Sequence, residues 1–138
     1  MERLIHGQNL VSGSAQGKTL ISLEPLSFWG GYSQSTGEII DRRHPLSGQI
    51  GAGRIIGIPF TRGSSTSTAI LLESARVGVA PAAVVLASTD PFVALASVVA
   101  DELYGKGFPV VSVSDSALKT LTSDTFVRID TLGNIYVE

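Results

Sequence analysis

Residues 82–87, Ala-Ala-Val-Val-Leu-Ala, include no polar side chain, and that run narrows the accessible folds more than any other feature. A strand with one wet face alternates apolar and polar residues. One that is apolar at every position must be covered on both faces, as parallel strands are when helices flank them. Two shorter runs have the same character. Arg54-Ile55-Ile56-Gly57-Ile58-Pro59 stops at Pro59, which has no N–H for the ladder. Pro109-Val110-Val111-Ser112-Val113 is the third buried-type strand.

Between these runs the apolar period changes to that of a helix. Ile70, Leu71, Ser74 and Val77 fall on one face and Gly78 follows as a C-cap, which places the helix start near Ser65 or Thr66. Asp90-Pro91 opens a second helix through Val93, Leu95, Ala96, Val98, Val99 and Leu103, with Pro91 in the first turn, where a missing N–H is tolerated.

Outside this β/α core the pattern is different. Residues 17–23 read as a strand ending at Glu24-Pro25, and residues 33–53 are polar and turn-rich, with short strands at most. Residues 115–121 read as a short capped helix, and residues 125–129 with 134–137 as a hairpin around Leu132-Gly133-Asn134. Strand first, then β/α alternation, then hairpin predicts a mixed α/β fold: a central mixed sheet or barrel flanked by two to three helices rather than a doubly wound sheet. The 138 residues suit one domain, 1–138.

Several functions are disfavoured. A formal charge of −2 without long runs of either sign supplies no field for a nucleic-acid backbone. With no cysteine, the chain has no thiolate for zinc or an iron–sulfur cluster, so any such centre is expected on another chain. No apolar run approaches the roughly 20 residues that span a bilayer, and the start Met1-Glu2-Arg3-Leu4-Ile5-His6-Gly7 is not a signal peptide, so the expected address is cytoplasmic. Charged residues make up 16% of a chain that is 43% hydrophobic, which suits either a surface covered by another protein or a neutral, Gly- and Ala-rich exterior.

The sharpest chemical feature is Arg62-Gly63-Ser64-Ser65-Thr66-Ser67-Thr68, between a strand end and a helix start. The first N–H groups of a helix lack intrahelical acceptors and carry the positive end of its dipole, so they stabilise a carboxylate, a phosphate or an alkoxide. The same residues also read as a plain N-cap at Ser65 or Thr66 with the other hydroxyls in water. The segment is not a P-loop, since no Gly-Lys-Ser/Thr follows at the required spacing. In the loop Leu26-Ser27-Phe28-Trp29-Gly30-Gly31-Tyr32, a Gly-Gly pair frees the backbone, while burial is the expected use of the Phe28 and Trp29 rings. His44 reads as a surface turn histidine, with phosphohistidine as the sharper alternative, and Asp90 reads as a helix cap.

Taken in order, Glu24-Pro25-Leu26-Ser27-Phe28-Trp29-Gly30-Gly31, Thr36-Gly37, Asp41 with His44-Pro45, Gly53-Arg54, and residues 62–67 resemble the small-subunit signature of the aconitase X family. The likeness continues through Ala80-Pro81-Ala82-Ala83, Asp90 and residues 100–105. It implies a swivelling β/β/α domain that works with a large subunit carrying an iron or iron–sulfur centre, and no cofactor bound by this chain. The implied reaction is dehydration of a β-hydroxy acid, with Ser64 as the proton-abstracting base. Arg62, Gly63, Ser65 and Thr66, with Ser27, Gly30 and Gly31, are the implied substrate-binding residues. Within the family, Phe28-Trp29 and Arg62-Gly63-Ser64-Ser65 look more like the members acting on cis-3-hydroxy-L-proline than those acting on phosphomevalonate. A non-catalytic anion-binding or regulatory module is the alternative from another class.

Overall fold

The computed structural model describes residues 2–63 and 65–138. Eight strands and three helices follow in the order β1 (Arg3–His6), β2 (Gln8–Val11), β3 (Ala15–Ile21), β4 (Ile55–Ile58), α1 (Ser65–Val77), β5 (Ala83–Leu86), α2 (Pro91–Tyr104), β6 (Val110–Ser112), α3 (Asp115–Lys119), β7 (Phe126–Ile129) and β8 (Asn134–Val137). All eight strands share one sheet, in the order β1-β8-β7-β3-β4-β5-β6-β2. The strands at its two edges, β1 and β2, are consecutive in the chain and separated only by Gly7, so the sheet curls into a nearly closed barrel.

Gly7 is needed there for space. A Cβ on it would lie 2.2 Å from Val111 Cγ1 and 2.8 Å from the Gly133 carbonyl oxygen, to which the Gly7 N–H donates at 3.0 Å. β1 and β2 lie outside the strands expected from the sequence. Their pairing with β8 and β6 is antiparallel and long-range, so their own short segments hold little of the signal.

The mixed strand direction has a simple basis in β3. Its first half, Ala15 to Lys18, pairs antiparallel with β7, and Thr19 to Ile21 pair parallel with β4. Parallel pairing then continues from β4 through β5 to β6. Along these strands the side chains alternate between two cores. Ile56, Ile58, Val84, Leu86 and Val110 pack with Leu71 of α1 and with Val93 and Ala96 of α2. Ile55, Ala83, Val85 and Val111 face the other way, onto Leu118, Val127, Ile129 and Ile135. Burial on both faces explains why residues 82–87 are apolar without a break.

The buried face of α1 is turned slightly from the expected one: Leu71 and Ser74 hold their places, but Ser67 and Ala75 replace Ile70 and Val77. Ser67, Leu71, Ser74 and Ala75 are buried, Ile70 is half-buried, and Val77 is exposed. On α2 the buried residues are Val93, Ala96, Ser97 and Ala100. Small side chains on both helices let them pack closely, and the Thr68 hydroxyl donates to the Phe92 carbonyl to join their first turns. α3 stops at Lys119, with Thr120 as its C-cap, short of the expected Leu121. Among the described residues no helix is long and apolar enough to cross a membrane.

Candidate active site

The carboxyl ends of parallel strands β3 and β4 and the start of α1 meet at one edge of the sheet, where open α/β sheets bind ligands. Beyond the strands the pairing of β3 and β4 persists: Leu26 bridges to Thr61, and the Arg62 N–H donates to the Leu26 carbonyl at 3.1 Å. That register sets the loop holding Ser27 beside the loop holding Arg62 and Gly63. A second tie runs from the Thr61 hydroxyl to the Asp90 carboxylate. Asp90 in turn caps α2, accepting from the Phe92 and Val93 N–H groups at 2.9 and 3.2 Å, as its place before Pro91 predicts.

Gly63 has φ 111°, a conformation that side-chain-bearing residues rarely adopt. A Cβ placed on it would lie 3.4 Å from Ser67 Oγ, 3.6 Å from Thr66 Oγ1 and 3.9 Å from Ser27 Oγ. Two hydroxyls from the first turn of α1 and one from the loop holding Ser27 therefore surround the side of Gly63 that lacks a side chain. Ser64, the expected base, lies outside the described residues. Ser65 and Thr66 are exposed in the first turn of α1, and Ser27 donates to the Trp29 carbonyl at 2.9 Å.

The glycine pair has two distinct roles. Gly31 is packed so closely that a Cβ would sit 2.1 Å from the Ser27 carbonyl oxygen, whereas Gly30 has φ 78° and open space on its Cβ side. Gly31 thus shapes the loop carrying Ser27, and Gly30 lies at its open surface. Phe28 is fully buried and stacks at a tilt on Tyr32, with ring centroids 5.5 Å apart. Burial pushes the Tyr32 phenol well above its ordinary pKa, and its hydroxyl donates to the Val79 carbonyl at 2.6 Å. Trp29, expected inside, is 63% exposed instead. The turn that seats Phe28 in the core sends the next side chain outward. Leu23 and Phe60, beyond the ends of β3 and β4, are exposed apolar side chains as well.

Beside this edge lies a cleft of about 540 Å³ lined by Glu24, Pro25, Asp41, Arg42, Arg43, His44 and Arg62. None of its three arginines makes an ion pair among the described residues. His44 is not the surface residue its turn setting suggests. It is buried, its Nδ1 accepts from the Leu46 N–H at 3.1 Å, and its Nε2 lies 3.1 Å from the Pro25 carbonyl. An N–H donor at Nδ1 requires the proton on Nε2, so both ring nitrogens are engaged and neither is free to take a phosphoryl group. Among the described residues no group of three or more His, Cys, Asp or Glu is placed to hold a metal ion.

Ser67 and the Arg42–Arg43 pair were outside the expected site. The first was legible, since residues 67, 71, 74 and 75 share one helical face and the burial of Leu71 carries Ser67 inward. The second depends on the fold of residues 41–46 against Pro25, which local pattern does not encode.

Comparison with known proteins agrees with the fold. A cis-3-hydroxy-L-proline dehydratase of Pseudomonas aeruginosa is 45% identical over 112 residues, 81% of this chain and 19% of that protein. A phosphomevalonate dehydratase small subunit of Methanothermobacter thermautotrophicus is 34% identical over 119 residues, 86% of each chain. The chain thus spans about a fifth of the length of the hydroxyproline dehydratases it matches, at 19% and 21%, and most of the length of that small subunit. The crystal structure of Thermococcus kodakaraensis aconitase X in its holo-form superposes with a TM-score of 0.88 at 27% identity, over 99% of this chain and 98% of that one. A family model described as the aconitase X swivel domain matches residues 4–137, and the chain belongs to that family.

Proposed function

We propose that this chain is the swivelling component of a hydro-lyase, completing an active site on a large subunit and dehydrating a β-hydroxy acid, with cis-3-hydroxy-L-proline the favoured substrate. The observation that carries the reading is the hydroxyl-lined hollow around Gly63 at the head of α1, rimmed by the exposed apolar side chains Leu23, Trp29 and Phe60. The hollow supplies hydrogen-bond donors. The rim is a surface that water does not favour and that a partner would cover.

On this reading Ser64 takes the proton from the carbon next to the substrate carboxylate. That C–H bond breaks, its electrons form the carbon–carbon double bond, and the neighbouring C–O bond breaks to release hydroxide, which is protonated to water. An ordinary serine hydroxyl is far too weakly acidic to supply such a base. Positive potential from the unpaired N–H groups of the first turn of α1, and from Arg62, would lower the cost of its anionic form. The enolate-like charge that develops needs donors aimed at it before reaction, a role for the Thr66 hydroxyl and the free N–H groups at the head of α1, since the Ser27 hydroxyl already donates to the Trp29 carbonyl. An iron or iron–sulfur centre is assigned to the large subunit, because this chain offers no cysteine; when bound it supplies Lewis-acid polarisation of the leaving hydroxyl.

The preference for cis-3-hydroxy-L-proline rests on 45% identity to the bacterial enzyme, against 34% to the phosphomevalonate small subunit. One observation favours phosphomevalonate as a second reading. The cleft with Arg42, Arg43 and Arg62 holds three guanidinium groups suited to a phosphate. The test is to co-express the chain with its large partner and follow dehydration of each compound. Turnover of cis-3-hydroxy-L-proline alone is expected; turnover of phosphomevalonate alone reverses the assignment, and turnover of neither by an intact complex refutes both.

A further inference from the structure

The cleft beside the hollow carries charges of both signs. Arg42, Arg43 and Arg62 line it together with Glu24 and Asp41, yet none of these side chains makes an ion pair among the described residues. Opposite charges that share a cleft without pairing leave both signs available to a ligand. The walls are held in place although residues 41–46 have no regular secondary structure. His44 is buried between the Pro25 carbonyl and the Leu46 N–H, and so ties the turn carrying Arg42 and Arg43 to the loop carrying Glu24. The two carboxylates differ. Asp41 is built into the turn, its Oδ1 accepting the Arg43 N–H at 3.0 Å, whereas the Glu24 side chain is exposed and free to meet a cation.

We infer that this cleft is the subsite for the charged end of a cyclic α-amino acid: Arg42 and Arg43 take the carboxylate and Glu24 takes the secondary ammonium. The inference rests on the reading of the chain as part of a hydroxyproline dehydratase, and names the residues that would recognise such a substrate. Three guanidinium groups alone would suit a phosphate, but a dianion in this cleft also meets Glu24 and Asp41, which repel it. A zwitterion finds a partner for each of its charges, and a competitor lacking the ammonium leaves Glu24 unpaired. At about 540 Å³ the cleft has room for a five-membered ring and its carboxylate. Arg62 lines the cleft and precedes Gly63 in the chain, so a ligand held there lies next to the hollow.

The experiment uses the assembled two-subunit enzyme, as wild type and with Glu24→Gln or Arg42→Gln, and three competitors of turnover: L-proline, cyclopentanecarboxylate, which keeps the carboxylate but lacks the ammonium, and inorganic phosphate. Glu24→Gln should raise KM for cis-3-hydroxy-L-proline and weaken L-proline roughly 10-fold, while cyclopentanecarboxylate changes by less than about twofold. Arg42→Gln should weaken both organic acids roughly 10-fold, and phosphate should compete less well than L-proline against the wild type. Unchanged kinetics in either variant, equal weakening of the two organic acids by Glu24→Gln, or tighter binding of phosphate overturns the inference. Both side chains are exposed and without ion pairs, so assembly and melting temperature should match the wild type. A variant that fails to assemble would put these residues in the subunit contact and overturn it as well. If the wild-type complex does not turn over cis-3-hydroxy-L-proline, the parent reading fails and takes this one with it; if it does and Glu24→Gln behaves as wild type, only the assignment of the cleft fails.

Discussion

Replacing His44 by alanine should destabilise the domain substantially, although the residue lies in a turn with no regular secondary structure. The imidazole joins two segments 19 residues apart, donating from Nε2 to the Pro25 carbonyl and accepting the Leu46 N–H at Nδ1, each at 3.1 Å. Alanine leaves both backbone groups without partners at a site where the wild-type side chain is only 8% exposed. An unsatisfied buried group costs about 1–3 kcal/mol, so two, partly rehydrated by water entering the space, cost about 2–4 kcal/mol. Unfolding entropy near 2.1 cal/mol/K per residue gives about 0.3 kcal/mol/K for 138 residues, so the melting temperature should fall by about 7–14 °C. Thermal unfolding followed by circular dichroism measures it directly. A fall of less than about 3 °C, or 1 kcal/mol, would refute the claim that both ring nitrogens act as struts. A phosphorylated His44 in the native protein would contradict the same claim.

Two further perturbations probe the barrel and its last hairpin. Gly7→Ala should cost about 1–3 kcal/mol in urea unfolding, because its Cβ must displace Val111 and the Gly133 carbonyl; wild-type stability would mean that the β1–β2 junction is loose. Partial desolvation raises the pKa of Asp130, but hydrogen bonds from the Asn134 N–H and amide, the Leu132 N–H and the Tyr136 hydroxyl outweigh it and hold the carboxyl below its ordinary value. Because the folded-state pKa is the lower one, this stabilisation is complete above the unfolded value of about 3.9 and is lost as pH falls through the folded one. Asp130→Asn should therefore flatten the acid limb of the stability profile; an identical acid limb would contradict the network.

The parts of the fold legible in advance are those whose information is local. β4, β5 and β6 follow from short, mainly apolar runs, and the start of α2 from Asp90-Pro91, because burial on both faces and capping leave marks on adjacent residues. Barrel closure does not, since β1 pairs with a strand at the far end of the chain and its segment Arg-Leu-Ile-His shows only a weak alternation. The site divides in the same way. The loop at residues 62–68 stands out because hydroxyls cluster between a strand and a helix, and Gly63 is explained by its positive φ. The opposite fates of Phe28 and Trp29, and the burial of His44, depend on how residues 26–46 fold back on β4 and α1; neighbouring residues do not encode that path.

The account depends most on the proton-abstracting role of the residue between Gly63 and α1, so Ser64→Ala in the complex with the large subunit is the decisive measurement. Dehydration should be abolished while the variant chain co-purifies with its partner at wild-type stoichiometry. Substantial turnover by that complex would contradict the account and leave the hydroxyl-lined hollow as a binding surface without a base.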